Sequence, residues 1–268
     1  MKYICLSFDD ARADTYVFAL PIIRKYKLHA TVNVITDYIY NPENYSFSTA
    51  DKAMTAEQLL EWQNAQNEVA CHGHTHKNEP NDILCNIAEL QKLGLKTNEI
   101  GFASPNSWLF EGNKNELGIA QLKTSGVISY MRSGTRIRRE GRLYTLLSLV
   151  ERYTHSRILF RYLNRRSLFK IHTPPEILPS VTVKDYTTLK QITDFIEKME
   201  DDNGLILMFH SILPKESELF GCDHYYWDSS CFDDLCHYLY QHRTDVCVTT
   251  TIGLCKQTAA FSKRETLS

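Results

Sequence analysis

Apolar positions along the chain fall into short runs of strand length separated by stretches with helical spacing. This is how successive strand–helix units of a parallel sheet or barrel read. Residues 3–8 (YICLSF) make the first run and end at two aspartates, Asp9 and Asp10. A helical stretch over 15–27 follows, and residues 30–35 (ATVNVI) read as a buried strand. Thr55, with Gln58 three residues on, has the form of a capping box and starts the next helix. Residues 68–71 form a third strand leading into HGHTH. Residues 81–93 are helical with Gly94 as the stop, and 100–103 and 127–131 are strand-like. Late in the chain, 205–209 is a strongly apolar strand ending at His210, followed by a helix over 232–241 and a last strand over 246–249. About seven such repeats predict an α/β fold, a distorted (β/α) barrel of about seven parallel strands forming one domain over residues 1–268.

Residues 136–178 break the repeat. They hold RIRRE, a helical LLSLVERY and RYLNRRSLFK, most of the local basic charge and no clean strand period, and so read as a helical insertion on the barrel rim. Its bland reading is a solvated helical hairpin; its functional one is a site for an anionic glycan or lipid-linked phosphate, with peripheral membrane contact through 136–178. The whole chain is nearly balanced, 30 basic against 32 acidic residues, which gives no electrostatic reason to expect a nucleic-acid partner. With 43% hydrophobic and 23% charged residues, composition is that of a globular protein. No run is long enough to span a membrane, and the opening MKYICLSF is too short for a signal peptide's apolar region, so a cytoplasmic setting is expected. The eight cysteines show no paired metal spacing and read as reduced, structural thiols. Nothing in the sequence sets an oligomeric state.

Parallel barrels build their active sites at the carboxyl ends of the strands, and the ionisable residues recur there. Asp9 and Asp10 follow the first strand, His72 and His76 the third, and His210 a late one. Two imidazoles four residues apart share one helical face or turn, and with a carboxylate they make an open ligand set that leaves room for water and substrate. A second carboxylate beside such a set can act as base, and a further histidine as acid. Singly, an Asp pair is more often a helix cap and a histidine a structural residue; the combination is what points to chemistry.

Ser7-Phe8-Asp9-Asp10 and the run Glu68 to His76 resemble the first two motifs of the polysaccharide deacetylase (NodB homology) family. The resemblance implies that Asp9 is the general base, that Asp10, His72 and His76 hold the metal, that His74 lies on the rim, and that His210 is the general acid. It covers about residues 2–135 and 180–255. The family's third motif, often R-x-P, is here Phe102-Ala103-Ser104-Pro105-Asn106, so Ala103 stands where the arginine is usual. The resemblance then assigns the oxyanion N–H to Asn106, and substrate contact to Pro105, Met208 and Trp108, with Trp227 as another candidate for the family's tryptophan. Arg132, placed just after the strand 127–131, is the nearest candidate for the missing arginine.

These readings converge on metal-dependent hydrolysis of the N-acetyl group of a sugar in a glycan or glycan precursor. Zinc is the first expectation for the metal, and cobalt, nickel or iron suit the same ligands. Two alternatives stay open: an amidohydrolase or esterase acting on a small non-sugar substrate, and a catalytically silent carbohydrate-binding barrel.

Overall fold

The computed structural model describes residues 1–47, 52–107, 115–134 and 141–257. In chain order its strands are β1 Lys2–Phe8, β2 Ala30–Val34, β3 Glu68–Cys71, β4 Phe102–Ala103, β5 Met131–Gly134, β6 Phe169–Lys170, β7 Ile177–Thr182, β8 Asn203–Phe209, β9 Ser211–Leu213, β10 Tyr226–Asp228 and β11 Val246–Val248. The helices are α1 Leu20–Lys25, α2 Thr36–Tyr40, α3 Ala56–Asn64, α4 Pro80–Lys92, α5 Glu116–Thr124, α6 Arg142–Thr154, α7 Arg157–Asn164, α8 Leu189–Glu197 and α9 Ser229–Gln241.

Seven parallel strands form a closed ring in the order β1-β2-β3-β4-β5-β7-β8, and β8 pairs back onto β1 from Tyr3↔Gly204 to Phe8↔Phe209. Alternation along β1 divides its residues between two cores. Ile4, Leu6 and Phe8 pack outward with Leu20, Ile23 and Leu235 of the surrounding helices. Tyr3 and Cys5 face into the barrel, against Tyr130, Phe169, Leu178, Ile206 and Leu254. The inner floor is also polar. Glu68 accepts hydrogen bonds from Tyr130 Oη (2.7 Å), Thr31 Oγ1 (2.9 Å) and the Ile252 N–H (2.8 Å), so each carboxylate oxygen is satisfied although the residue is buried.

The expected capping box at Thr55 and Gln58 is present at the start of α3. Three expectations need correction. The first concerns which strands close the ring. The strand expected at 246–249 is β11, which lies outside the ring and pairs only with the first half of β1, while β2 takes the second half. The seventh ring strand is β7, which begins at Ile177, so the barrel resumes before the expected insertion ends at 178. Pro179 within β7 lacks the ladder donor that a strand ordinarily supplies, and this hid it. The second correction is that β5 starts at Met131 and not at 127: the Val127 and Ile128 N–H groups are both spent on the Leu122 carbonyl, closing the end of α5. Third, the helix expected over 15–27 opens with a π-helical turn, Thr15–Ala19, ahead of α1. Pro21 has no N–H to offer the carbonyl four residues back, and the wider turn accommodates that.

Of the expected insertion, the described part is the α6–α7 hairpin and β6. It is fastened to α8 by Phe160 on Phe195 (ring centroids 5.8 Å apart) and by Arg161 on Asp194.

Candidate metal and catalytic site

The site forms where β1, β3, β5 and β8 end. β1 carries its ladder one residue past its last strand position, with the Asp9 N–H donating to the Phe209 carbonyl (2.9 Å). Asp10 (φ 72°) and Ala11 (φ 53°) then turn through left-handed backbone, a conformation costing roughly 1–2 kcal/mol per non-glycine residue. The turn is held by the Met54 N–H on the Ala11 carbonyl (2.7 Å) and the Ala13 N–H on the Lys52 carbonyl (2.9 Å). The effect is to put two consecutive carboxylates into one mouth, where plain strand alternation would separate them.

After β3 the chain turns again at Gly73 (φ 82°) and His76 (φ 60°). A Cβ on Gly73 would lie 2.6 Å from Asp82 Oδ2, so glycine is required there by both backbone and space. Asp82, from the first turn of α4, accepts hydrogen bonds from the Thr75 N–H (3.0 Å), Thr75 Oγ1 (2.7 Å) and the Lys77 N–H (3.2 Å). The four-residue histidine spacing thus works through a loop, not a helix. His74 points elsewhere in that loop, its Nδ1 bonded to Thr36 Oγ1 at 2.8 Å.

Asp10, His72 and His76 each present one donor atom, and the three atoms lie within 4.8 Å of one another. Asp10 Oδ1 is 3.5 Å from His72 Nε2 and 3.7 Å from His76 Nε2. Ligand atoms on a tetrahedral zinc stand about 3.3 Å apart for bonds of about 2.0 Å, so the set fits a small divalent ion after slight contraction. The other polar atoms of His72 and Asp10 are already engaged. His72 Nδ1 donates to the Ala103 carbonyl (2.8 Å), which fixes the tautomer with Nε2 as the lone-pair nitrogen. Asp10 Oδ2 accepts from Arg12 Nε (3.0 Å) and Nη2 (2.8 Å), leaving Oδ1 toward the histidines. Phe47 packs on both sides of this arrangement, against the Arg12 guanidinium (4.6 Å) and edge-on to His76.

Asp9 is held separately. Its Oδ1 accepts from Asn33 Nδ2 (2.8 Å) and from Arg132 Nη2, while its Oδ2 lies 3.9 Å from His72 Nε2. Arg132 is buried inside β5, one position further along the chain than the end of the expected strand, and contacts Ser180 Oγ (3.2 Å) and the Met208 sulfur. In the β4–β5 ladder it is the direct partner of Ala103. Partners in a ladder share a face, so Arg132 enters the barrel at the level where a side chain on position 103 would.

Burial alone would raise both carboxylates. The Arg132 charge, with His72 and His210, brings Asp9 below the usual range, and Arg12 with the His72 hydrogen bond brings Asp10 well below it. Burial lowers His72, but Asp9 and Asp10 together raise it above its ordinary value. His76 is pushed down to about 4 by burial and by His72. His210 is likewise pushed down to about 4, chiefly by burial, and its Nδ1 is buried with no hydrogen-bond partner among the described residues. Tyr225 stacks edge-on to His210 with centroids 4.9 Å apart.

One cavity of about 970 Å³ is lined by Asp9, Asp10, His72, His76, Asn106, Met208 and His210. Its far wall is the inner face of α6, Thr145, Ser148, Leu149 and Arg152, together with Lys184, Tyr186 and His224. Asn106 is left-handed (φ 54°) and exposed at the rim. Pro105 is buried below it, its carbonyl held by Asn78 Nδ2 at 2.9 Å. Trp108 lies outside the described residues. Trp227 is buried against Phe209, its Nε1 donating to the Thr187 carbonyl (2.7 Å). Sequence reasoning missed Arg12, Asn33, Phe47 and Asp82. The one local signal was an arginine two residues after an acidic pair; the others come from distant positions.

The polysaccharide deacetylase family profile matches residues 1–97, which include Asp9, Asp10, His72 and His76. No curated protein matches the chain in sequence. Among solved structures, a peptidoglycan deacetylase from Bacillus subtilis is 15% identical with a TM-score of 0.51, the match covering 98% of this chain and 95% of that one. The Xyl-CE4 domain of a multidomain xylanase from the hindgut metagenome of Trinervitermes trinervoides is 14% identical with a TM-score of 0.51, covering 96% of this chain and 91% of that one. At such identities the likeness is one of fold. The chain therefore resembles the polysaccharide deacetylases in two independent ways, by the match over residues 1–97 and by a barrel that follows the solved deacetylase along nearly its whole length.

Proposed function

We propose that this protein is a metal-dependent deacetylase that hydrolyses the N-acetyl group of an acetylated sugar in a glycan or glycan precursor. The observation that carries the reading is the convergence, in one cavity, of a three-donor cluster (Asp10, His72, His76), an arginine-held carboxylate (Asp9) and His210. A divalent ion at Asp10, His72 and His76, zinc first and cobalt, nickel or iron on the same ligands, would polarise the acetyl carbonyl and make water more acidic. Asp9 is the base that receives the water proton. Arg132, in the place of the arginine that the family ordinarily carries in its third motif, keeps Asp9 ionised and oriented. The Asn106 N–H serves the developing oxyanion, and the proton that Asp9 takes from water goes, with the neutral His210 as its carrier, to the departing amine nitrogen. Met208 walls the acetyl pocket, and Pro105 supports the rim from beneath.

The cavity is near the upper end of the range for small-ligand sites, which favours a glycan over a small amide. A peptidoglycan deacetylase of the same fold agrees with that choice. Eight free thiols support a reducing, cytoplasmic setting, and the catalytic unit in this reading is the whole chain. Among the described residues no helix is long and apolar enough to cross a membrane.

The test is acetate release from a panel of N-acetylated oligosaccharides, sugar acetate esters and small acetamides, with metal-loaded and chelated protein. Metal-dependent release from the oligosaccharides is expected. Release from esters or small amides alone would replace this reading with the esterase or amidohydrolase one, and none from any substrate would leave a sugar-binding barrel.

A further inference from the structure

Helix α6 presents three different faces. Glu151 turns inward and is bonded to Gln191 of α8. Thr145, Ser148, Leu149 and Arg152 line the catalytic cavity. The third face is apolar and open to solvent: Leu143 is 63% exposed, Leu146 57%, Val150 41% and Tyr153 81%, and Ile158 at the start of α7 continues it at 69%. At 3.6 residues per turn the four α6 positions fall within roughly 80° of one another, so they form one stripe. A contiguous apolar stripe of this kind marks a contact surface far more often than a scattered exposed leucine does.

The charge around the stripe indicates its occupant. From 141 to 167 the chain has six arginines and one acidic residue, Glu151, which is buried, whereas the whole chain has a formal charge of -2. Arg142, Arg165 and Arg166 are exposed at one end of the hairpin, and at the other Arg157 is exposed while also pairing with Asp194 of α8 at 3.7 Å. An amphipathic helix with an open apolar face and arginines at its edges suits the interface of an anionic bilayer: the apolar side chains enter the acyl boundary and the guanidinium groups meet lipid phosphates.

We propose that the α6–α7 hairpin docks this protein on an anionic membrane surface, with Leu143, Leu146, Val150, Tyr153 and Ile158 inserted. Because α6 is also a wall of the cavity, docking sets the candidate site against the bilayer. The inference is independent of the reaction, and its test reads no acetate.

The full-length protein is sedimented with vesicles of phosphatidylcholine alone and of phosphatidylcholine with phosphatidylglycerol, at low and raised salt. Binding to the phosphatidylglycerol vesicles, weakened by salt, is expected. Leu146→Ser with Val150→Ser should lower partitioning on the order of a hundredfold, and Arg142→Gln with Arg157→Gln by about tenfold or more. All four positions are exposed, and unchanged circular dichroism and thermal unfolding would show that the variants fold. No binding, equal binding to both vesicle types, or binding that neither variant weakens would overturn the proposal. So would a stable dimer in sedimentation velocity that Leu146→Ser with Val150→Ser dissociates, since the stripe would then serve a second copy.

Discussion

Asp9 and Asp10 are neighbours in the chain but are held by different arginines, Arg132 and Arg12, and this separates the roles proposed for them. Asp10 is turned so that one oxygen faces His72 and His76, and losing any one of three ligands from an open site should empty it. His72→Ala and His76→Ala are therefore expected to carry no metal by elemental analysis after gel filtration. His74→Ala should retain about one ion per chain, because His74 bonds to Thr36 instead; equal loss in that variant would mean that another histidine pair binds. Arg132 tests the second role. Without its charge, burial of Asp9 is left to raise the carboxyl, so Arg132→Ala should depress turnover by about 10²-fold or more while metal content stays. Removing one partner of a buried ion pair typically costs about 3–5 kcal/mol, so thermal unfolding must accompany the assay. Arg132→Lys should recover part of the rate, and full activity in the alanine variant would remove Arg132 from the mechanism.

At the scale of elements, the histidine loop depends on α4. Asp82 gathers two N–H groups and a hydroxyl from the segment between His74 and Asn78, and so sets the distance between His72 and His76. Asp82→Ala should leave the ligands in the chain but loosen their geometry, weakening metal affinity by about 10 to 100-fold, as loss of an outer-shell partner does. Competition with a chromophoric chelator measures this directly, and affinity equal to the unaltered protein would mean that the loop holds itself. Local pattern revealed this element only in part. The HGHTH spacing and the strand before it were legible, whereas Asp82 reads as an ordinary first-turn helix residue until its partners are known. The same holds for β7, where Pro179 and the Pro174-Pro175 pair before it read as loop, and only its place between β5 and β8 makes it a strand.

At the scale of the whole molecule, the rim beyond the ring closure is bound together by Asp14, whose Oδ1 accepts from the Ile212 N–H (2.9 Å) at the start of β9. Burial raises its carboxyl to about 7, against the lowering effects of that N–H and of Arg12. The fold thus prefers the neutral acid. Its contribution to stability is complete below about pH 4 and is lost as pH rises toward about 7, an upper limit of about 4 kcal/mol. Asp14→Asn keeps the acceptor for Ile212 and removes the ionisation. It should match the unaltered protein at pH 4 and unfold at a higher temperature at pH 8; parallel curves at the two pH values would show that Asp14 does not titrate in this range.

The class of fold and the candidate chemistry are legible in the sequence alone, because both are written locally. Strand-length runs ending in acids and histidines state a parallel barrel with its ionisable groups at one mouth, and the Asp9-Asp10 and His72–His76 spacings point to a candidate ligand set. Tertiary structure decided what holds those groups. Arg132 meets Asp9 across the barrel because β5 lies beside β4 at the level of Ala103; Arg12, close by in sequence, bends back on Asp10 only through two left-handed residues. It also decided that β7, not β11, closes the ring, since closure depends on which strand edges meet. No local period records that.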